Sequence, residues 1–283
     1  MNHGRLRYLE AKRTVDERAL NESVRRRLLA AVPPDPRVFE AGCGTGATVP
    51  RLLDWGVRPG SYVGVDTDEA VLECARELRP AELRRRGHGA VDTPRGFRLA
   101  GRPFEFRSDD AVRFVEEQAD PVDLLVAGAF MDLVPLANAV PAFEGVLDDG
   151  GLAYFPITFD GATVFQPDHP ADEAVTSAYH EFIDATDGRD VRAGRHLAVR
   201  LQAGEGNLLA MGASDWVVRA RDGSYPADER HFLATILEFV ERALGTVDVD
   251  GGDEWLATRR DQLAGGELIY VAHQYDLLYR APG

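Results

Sequence analysis

A glycine-rich segment is the first place in the chain where residue types and spacing suggest chemistry. It is Glu40-Ala41-Gly42-Cys43-Gly44-Thr45-Gly46, and it follows the apolar residues Val38 and Phe39. Glycine lacks the Cβ that would hold a bulky ligand away from the backbone, and a helix that begins after the turn offers unpaired N–H groups. This order of strand, turn and helix predicts a ligand bound close to the backbone.

Carboxylates follow the next two predicted strands. Asp66 ends the strand at 61–66, and Asp109 and Asp110 follow a strand at 104–107. Open parallel sheets bind ligands at the carboxyl ends of their strands. A carboxylate after the second strand can accept hydrogen bonds from both hydroxyls of a ribose, and one after the third can accept from an adenine amino group. Together these residues predict an adenosine-shaped site.

The elements that position these residues alternate between strand and helix. A leading helix is predicted at 14–32, and further strands are expected at 122–128 and 152–158. The residues 129–132 should open the helix between these last two strands. Five strands alternating with helices predict an α/β fold with a doubly wound, mainly parallel sheet and right-handed crossovers.

Two later features complete the predicted organisation. The helix after Asp66 should end at Pro80, followed by an excursion of weak periodicity at 81–101. Beyond Thr158 the pattern loosens into helices, a strand at 208–218 and a long final strand. No linker separates a second domain, so we predict a single domain over 1–283. Its parts are an N-terminal helical lid at 1–35, a cofactor-binding core at 36–158, and an acceptor-side elaboration with the final strands at 159–283.

Composition excludes several classes of protein. The chain has 283 residues, 45% of them hydrophobic, and no run approaches the roughly 18 apolar residues of a membrane span. The net charge of −15 disfavours DNA or long RNA as a partner. Cys43 and Cys74 cannot form a disulfide framework, and the N-terminus does not resemble a signal peptide, so we expect a cytoplasmic protein. The single lysine, Lys12, among many arginines fits a GC-rich genome or an acidic, halophile-like protein, and we favour the second.

These segments resemble the class I S-adenosylmethionine-dependent methyltransferases. The resemblance covers roughly 37–158 and rests on five stretches: the glycine turn, Val63 to Asp66, Ser108 to Ala111, Ala129 to Met131, and Leu147 to Gly151. It implies a Rossmann-like methyltransferase sheet of the seven-stranded type, with a helical elaboration after strand five. It also implies S-adenosyl-L-methionine as the cofactor.

The resemblance assigns roles to individual residues. Gly42, Gly44 and Gly46 would line the methionine part and the ribose. Asp66 would hold the ribose hydroxyls, and Asp110, with Asp109, would bind the adenine amino group. Glu40 would organise the turn or meet the methionine ammonium group. The full predicted cofactor set is Glu40, Gly42, Cys43, Gly44, Gly46, Asp66, Thr67, Asp109, Asp110, Ala129 and Phe130.

The N-terminal segment and two aromatic residues are further candidates for the site. Tyr8, Lys12 and Arg13 form either a solvated start of a helix or a lid that meets an anionic group such as the cofactor carboxylate. Phe159 and Trp216 are candidates for an acceptor pocket, with simple packing as the alternative. An aromatic-lined pocket suits a small-molecule acceptor.

Transfer of a methyl group from a sulfonium is an in-line displacement that needs a base only if the acceptor must lose a proton. Asp132 and His273 are the catalytic candidates. Asp132 could equally cap a helix, and His273 could be a hydrogen-bonded core residue. We predict no metal site.

Two other functions fit parts of the pattern. Gly42-x-Gly44-x-x-Ala47 also satisfies the looser dinucleotide motif, so an NAD(P)-dependent Rossmann oxidoreductase is an alternative. Glu40, Gly46 and the paired aspartates count against it. A non-catalytic ligand-binding protein of methyltransferase fold is the other alternative.

Overall fold

The structure is a computed structural model that describes residues 3–117 and 120–283. Met1 and Asn2 of the predicted lid lie outside the described residues. The strands within the described ranges are β1 (Arg37–Ala41), β2 (Ser61–Asp66), β3 (Ala90–Thr93), β4 (Gly96–Leu99), β5 (Arg102–Ser108), β6 (Val122–Val126), β7 (Leu147–Gln166), β8 (Asn207–Ala213), β9 (Trp216–Val218) and β10 (Ile269–Arg280).

The α-helices of the described part are α1 (His3–Ala11), α2 (Arg13–Ala19), α3 (Glu22–Ala31), α4 (Thr48–Asp54), α5 (Glu69–Arg85), α6 (Ala111–Glu117), α7 (Leu136–Val146), α8 (Asp172–Asp184), α9 (Ala193–Ala203), α10 (Glu229–Leu244) and α11 (Gly252–Gly265). A single 3-10 turn spans Met131–Leu133. None of the helices in the described ranges combines the length and apolar character that a membrane crossing needs.

All the strands named above belong to one sheet. Its order is β3-β4-β5-β2-β1-β6-β7-β10-β8, and β9 pairs with β10. The pairs among β5, β2, β1, β6 and β7 are parallel, whereas β10 runs antiparallel to its neighbours. Without the β3–β4 hairpin and short β9, the order contains seven strands. The predicted doubly wound, mainly parallel sheet of the seven-stranded type is therefore confirmed.

The register of the parallel strands brings their polar ends to one edge. Ala41 of β1 pairs with Val65 of β2, and Asp66 pairs with Ser108 of β5. Since parallel strands end at the same edge of the sheet, the glycine turn after Ala41 lies beside Asp66 and the residues that follow Ser108. This edge contains the candidate site.

Apolar clusters cover both faces of the sheet. Val38 and Leu124 belong to one cluster, and their chain neighbours Phe39 and Leu125 belong to another, as the alternation of side chains along a strand requires. A third cluster joins α1 and α2 to α8, α10, α11 and β10, with Phe232 among its buried residues. The N-terminal helices are therefore packed into the later half of the chain.

Two predicted helices differ from the observed ones. The leading helix, predicted at 14–32, is broken into α2 and α3, because the Asn21 side chain accepts hydrogen bonds from the Ser23 and Val24 amides and begins a new helix. The helix predicted to end at Pro80 continues to Arg85. Burial of Pro80 and Leu83 on one face of α5 offsets the cost of proline inside a helix.

The connection after β6 also differs from the prediction. Residues 129–132 do not open a continuous helix; a 3-10 turn at Met131–Leu133 comes first, and α7 begins only at Leu136. Val134 is extended, with φ −135° and ψ 152°, because the following Pro135 disfavours the helical conformation at that position. The strand predicted at 208–218 is likewise divided into β8 and β9.

A fully buried carboxylate, Asp276, joins β10 to β7 and α3. It accepts hydrogen bonds from the amides of Ile157 and Asn21, both at 2.9 Å, and from the Tyr154 hydroxyl at 3.1 Å. Ile157 has a φ of 59°, a conformation that is rare for a β-branched residue. The hydrogen bond that the Ile157 amide donates to Asp276 therefore stabilises an unfavourable backbone geometry in β7.

We expect Asp276→Asn to lower the free energy of unfolding by about 3 kcal/mol, because the new amide directs hydrogen atoms at donors that need an acceptor. Urea unfolding would measure the loss. The matched control is Asp222→Asn, in an exposed left-handed turn where asparagine is tolerated. Equal unfolding free energies for the two variants would contradict the prediction.

Candidate active site

A cavity of about 350 Å³ lies at the edge where β1, β2, β5 and β6 end. Its wall combines the glycine turn, the ends of the strands, the start of the 3-10 turn and the inner face of the N-terminal helices. The predicted cofactor residues that line it are Glu40, Gly42, Cys43, Gly44, Asp66, Thr67, Asp109, Asp110, Ala129 and Phe130. The structure therefore brings these distant segments to one cavity.

The three glycines of the turn all have left-handed backbone conformations. The φ angles are 65° at Gly42, 51° at Gly44 and 74° at Gly46. A Cβ on Gly42 would collide with the Phe130 ring, and one on Gly46 would lie 2.7 Å from the Phe106 ring. Gly46 thus lies behind the turn in a packing position, whereas Gly42 and Gly44 line the cavity.

Asp66 is held against the turn by two backbone hydrogen bonds. Its Oδ2 accepts from the Gly44 amide at 3.1 Å, and its Oδ1 accepts from the Asp68 amide at 3.0 Å. Asp68 in turn accepts from the Ala70 amide and caps α5, so the capping role belongs to Asp68. Asp66 is only 8% exposed, and its position is fixed within the cavity wall.

Glu40 is buried at the base of the cavity. The Tyr62 hydroxyl donates a hydrogen bond to its carboxylate. Burial raises the pKa of Glu40 to about 7, and the hydrogen bonds from Tyr62 and Thr48 and the nearby charge of Arg51 only partly oppose this shift. Glu40 therefore titrates close to neutral pH.

Asp109 and Asp110 form the end of the cavity nearest β5. Asp110 Oδ1 accepts from the Arg113 amide at 2.9 Å and so caps α6. Asp109 accepts from the Asp110 amide at 2.8 Å and pairs with the Arg113 guanidinium, which lowers the pKa of Asp109. Both carboxylates thus have a local structural role as well as a position on the cavity wall.

The N-terminal helices contribute one face to the cavity. Leu9, Lys12, Arg13 and Asp16 line it, at the spacing that places residues on the same side of a helix. Lys12 Nζ is 3.3 Å from Asp16 Oδ2 and lies 5.3 Å from the centre of the Trp216 ring. Lys12 and Arg13 therefore lie at the cavity, and their role as a lid stays a prediction.

Tyr8 points away from the cavity wall. Its ring stacks on Phe232 of α10 with centroids 5.7 Å apart and meets Phe239 edge-on at 5.5 Å. Trp216 lies behind the wall, because its Nε1 donates to Asp16 Oδ1 at 2.9 Å. Phe159 packs against His180, with ring centroids 5.8 Å apart. The two predicted acceptor residues thus lie on the α10 side of the N-terminal helices, outside the wall itself.

The two catalytic candidates, Asp132 and His273, lie on different elements of the fold. Asp132 is in the 3-10 turn next to Leu133, which lines the cavity. Burial raises the pKa of Asp132, and the charges of Lys12 and Arg189 oppose this shift. His273 is on β10, where its Nδ1 lies 2.7 Å from Asp215 Oδ1. Neither Asp132 nor His273 is among the described residues that line the cavity.

Asp132 lies near two tyrosines, Tyr8 and Tyr179, with which it interacts electrostatically. Burial raises the pKa of all three groups, to about 12 for Tyr179. These three polar groups therefore form a cluster next to Leu133 of the cavity wall.

Sequence reasoning missed Arg51 and Thr48, which lie three residues apart on α4 and both line the cavity. In the described part of the chain, Arg51 Nε is buried without a hydrogen-bond partner. The spacing of Thr48 and Arg51 could have predicted this, because residues three apart in a helix that directly follows the turn lie on one face of that helix. Arg51 is the cationic residue of the wall with an unused donor.

Comparison with known proteins bears on the fold. No protein-family model matches the chain, and no curated protein does so. The solved structure of a putative type II methyltransferase from Anaeromyxobacter dehalogenans is similar, with a TM-score of 0.51 at 16% identity. That match covers 93% of this chain and 98% of the other.

Two S-adenosylmethionine-dependent methyltransferases solved with S-adenosyl-L-homocysteine are also similar, at lower TM-scores. The one from Thiobacillus denitrificans has a TM-score of 0.47 at 15% identity, covering 91% of this chain and 92% of the other. The one from Geobacter sulfurreducens has 0.48 at 16% identity, covering 94% and 92%. The likeness to the Anaeromyxobacter protein spans nearly the whole of both chains and shows that the two share a fold.

The pKa of Glu40 predicts a pH dependence of stability. Between pH 4.5 and about 7 the folded protein keeps a proton on Glu40 that the unfolded chain has released. The free energy of unfolding should therefore fall by about 3 kcal/mol through this group as the pH rises across that window. Glu40→Gln should remove this fall, whereas Glu73→Gln, at an exposed position of α5, should leave it intact. Urea unfolding at pH 5 and pH 8 would measure both, and parallel pH profiles for wild type and Glu40→Gln would contradict the prediction.

Proposed function

We propose that the protein binds S-adenosyl-L-methionine and transfers its methyl group to a small-molecule acceptor. The observation that carries the proposal is the buried carboxylate of Asp66, bonded to the Gly44 amide on the same wall as Asp109 and Asp110. A carboxylate at this place can bind two ribose hydroxyls, and the aspartates after β5 can accept from an adenine amino group.

The shape of the cavity fits one ligand of cofactor size. Its volume of about 350 Å³ is near the lower end of the roughly 300–1,000 Å³ typical of small-molecule pockets. Gly42 and Gly44 present bare backbone to the ligand, and Ala129 and Phe130 supply an apolar surface next to Gly42. Such a wall suits the flat, mostly apolar face of an adenosine between polar ends.

Charge favours a sulfonium over a pyrophosphate. The wall carries the acidic residues Asp16, Asp66, Asp109 and Asp110 and the basic residues Lys12, Arg13 and Arg51, together with Glu40, whose pKa is raised to about 7. A cationic ligand gains from the excess of carboxylates, whereas the phosphates of a nicotinamide dinucleotide would be repelled. The Gly44 amide, which a phosphate would need, already donates to Asp66. These features support the methyltransferase over the oxidoreductase.

Arg51 is the proposed partner for the carboxylate of the methionine part. The other two basic wall residues are engaged elsewhere, since Lys12 pairs with Asp16 and Arg13 binds Glu82 at 2.8 and 3.0 Å. The buried Arg51 Nε lacks such a partner in the described residues. Glu40, which is close to Arg51, would then face the ammonium group of the same ligand.

When bound, S-adenosylmethionine supplies an electrophilic methyl group on a sulfonium, so the protein has to align an acceptor with that group and exclude water. Leu9 and Leu133 supply apolar cover. We propose that the acceptor lies beside Asp132, towards Phe159 and Trp216, and that Asp132 takes a proton from it where one must leave. His273, bound to Asp215, would serve only an acceptor that extends to β10.

We also propose that the chain forms a single domain and that the protein acts in the cytoplasm. A single domain is supported by the continuous sheet and by the third apolar cluster, which joins the N-terminal helices to the later half. The net charge of −15 supports a halophile-like cytoplasmic protein that does not bind nucleic acid.

Calorimetry with S-adenosylhomocysteine tests the proposed ligand. Wild type should bind it, and Asp66→Asn should bind it about 10- to 100-fold more weakly, because a charged acceptor for the ribose is lost. Asp92→Asn, on the exposed β3 hairpin, is the control and should bind as wild type does. Saturable binding of NADH instead of S-adenosylhomocysteine would favour the oxidoreductase and contradict the proposal.

Transfer of a labelled methyl group from S-adenosylmethionine to fractions of a small-molecule extract would identify the acceptor. With that acceptor, Asp132→Asn should lower kcat roughly 100-fold while the affinity for S-adenosylhomocysteine stays unchanged, as the loss of a general base requires. Asp187→Asn, in the exposed turn after α8, should retain full activity. An unchanged kcat in Asp132→Asn would rule out this role, and binding without any labelled product would favour the non-catalytic alternative.

A further inference from the structure

A buried arginine of α5, Arg79, connects the N-terminal helices to the glycine turn. Its Nε donates to the Thr45 carbonyl at 2.8 Å. Its Nη2 donates to Glu10 of α1 and its Nη1 to Glu82 of α5, both at 2.5 Å. The side chain is only 1% exposed, and its Cγ lies 3.2 Å from where a Cβ on Gly46 would be. The Arg79 guanidinium therefore contacts the glycine turn, Glu10 of α1 and Glu82 of its own helix, α5.

The segment that Arg79 holds is the segment that covers the cavity. Leu9, beside Glu10, has its Cδ1 3.6 Å from the Cβ position of Gly44. Arg13, one turn later, forms a two-bond ion pair with Glu82. Leu9 and Arg13 both line the cavity. The position of this cover over the turn therefore depends on the Glu10–Arg79–Glu82–Arg13 network, which we call the latch.

A separate set of contacts holds the same helices to α10. Arg7 pairs with Asp228 at 2.8 Å, and Arg18 pairs with the fully buried Glu229 at 2.5 Å. Tyr8 stacks on Phe232. These contacts lie on the other side of α1 and α2 from the latch. Loss of the Glu10–Arg79 contact would thus release only the edge over the cavity, while the helices stay attached to α10.

We infer that Arg79 is a positioning residue that couples closure of the N-terminal helices over the cavity to the shape of the glycine turn. Removal of the Glu10 charge leaves a buried guanidinium short of a partner, and a shift of α1 that admits water relieves it. The Arg79 bond to the Thr45 carbonyl is disturbed by the same shift. The inference rests on the proposed function for the identity of the ligand, though the coupling itself lies within the chain.

Closure and ligand retention are then linked. A ligand in the cavity contacts both the turn and the cover, so it binds better to the latched state, and by linkage it stabilises the latch. Coupling energies of this kind typically correspond to changes of about 5- to 150-fold in affinity. The latch should therefore act mainly on the rate at which the ligand leaves.

Hydrogen exchange of the full-length chain tests the coupling without any ligand. Glu10→Gln keeps the size of the side chain and removes its charge. It should raise amide exchange roughly tenfold in two places at once, residues 6–16 and residues 42–48. The matched control is Glu241→Gln, which removes the same charge from an exposed pair with Arg260 at 2.5 Å. The control should alter neither segment.

A second variant and a second readout separate coupling from general destabilisation. Arg79→Lys keeps the charge but lacks the planar fork that reaches three partners, so it should reproduce both exchange effects. Combined with Glu10→Gln it should add little, because both changes open the same latch. S-adenosylhomocysteine should dissociate roughly tenfold faster from each variant than from wild type or Glu241→Gln.

The outcomes are distinct. Faster exchange in residues 6–16 alone, with the turn unchanged, would overturn the coupling, as would equal exchange in Glu10→Gln and Glu241→Gln. Failure of wild type to bind S-adenosylhomocysteine would instead overturn the proposed function, and the ligand-free exchange would still decide the inference.

Discussion

The site depends on one steric constraint, which is the absence of space for a Cβ at two positions of the glycine turn. Phe130 fills the space next to Gly42, and Phe106 with Arg79 fills the space next to Gly46. The turn can therefore follow its left-handed path only with glycine there, and the path directs the Gly44 amide at Asp66. Close packing behind the turn is thus what fixes a charged acceptor in front of it.

Burial determines how much each ionic contact near the site contributes to stability. In a chain of net charge −15, arginines such as Arg84 and Arg260 pair with carboxylates at the surface, and exposed pairs of this kind contribute little to stability. Arg79 and Glu229 differ, because each is buried and would lose part of its charge compensation if Glu10 or Arg18 were removed. Both residues hold the N-terminal helices. The strongest ionic contacts of the cover therefore lie at its two attachments, to α5 and to α10.

The segments that meet at the cavity could be predicted from the sequence, because their signals are local. A strand, a glycine turn and a following carboxylate occur within short stretches, and the parallel register brings such stretches to one edge. The partners of Asp276 and Arg79 were not predictable, since Ile157 and Glu10 lie far away in the chain. Tertiary packing also overrode the local signal at Pro80, which lies inside α5. Local patterns predicted residues that line the cavity, their binding of a ligand stays a prediction, and long-range contacts determine what holds them in place.

The N-terminal helices contact two different parts of the molecule. Leu9 and Lys12 line the cavity, whereas the Tyr8 ring packs on Phe232 of α10 and lies near Asp132. Neighbouring residues of this segment therefore face two different sides. A shift of α1 would change the contacts on both sides together. The surroundings of Asp132 therefore depend on how α1 and α2 lie between α5 and α10, and no single stretch of sequence encodes that arrangement.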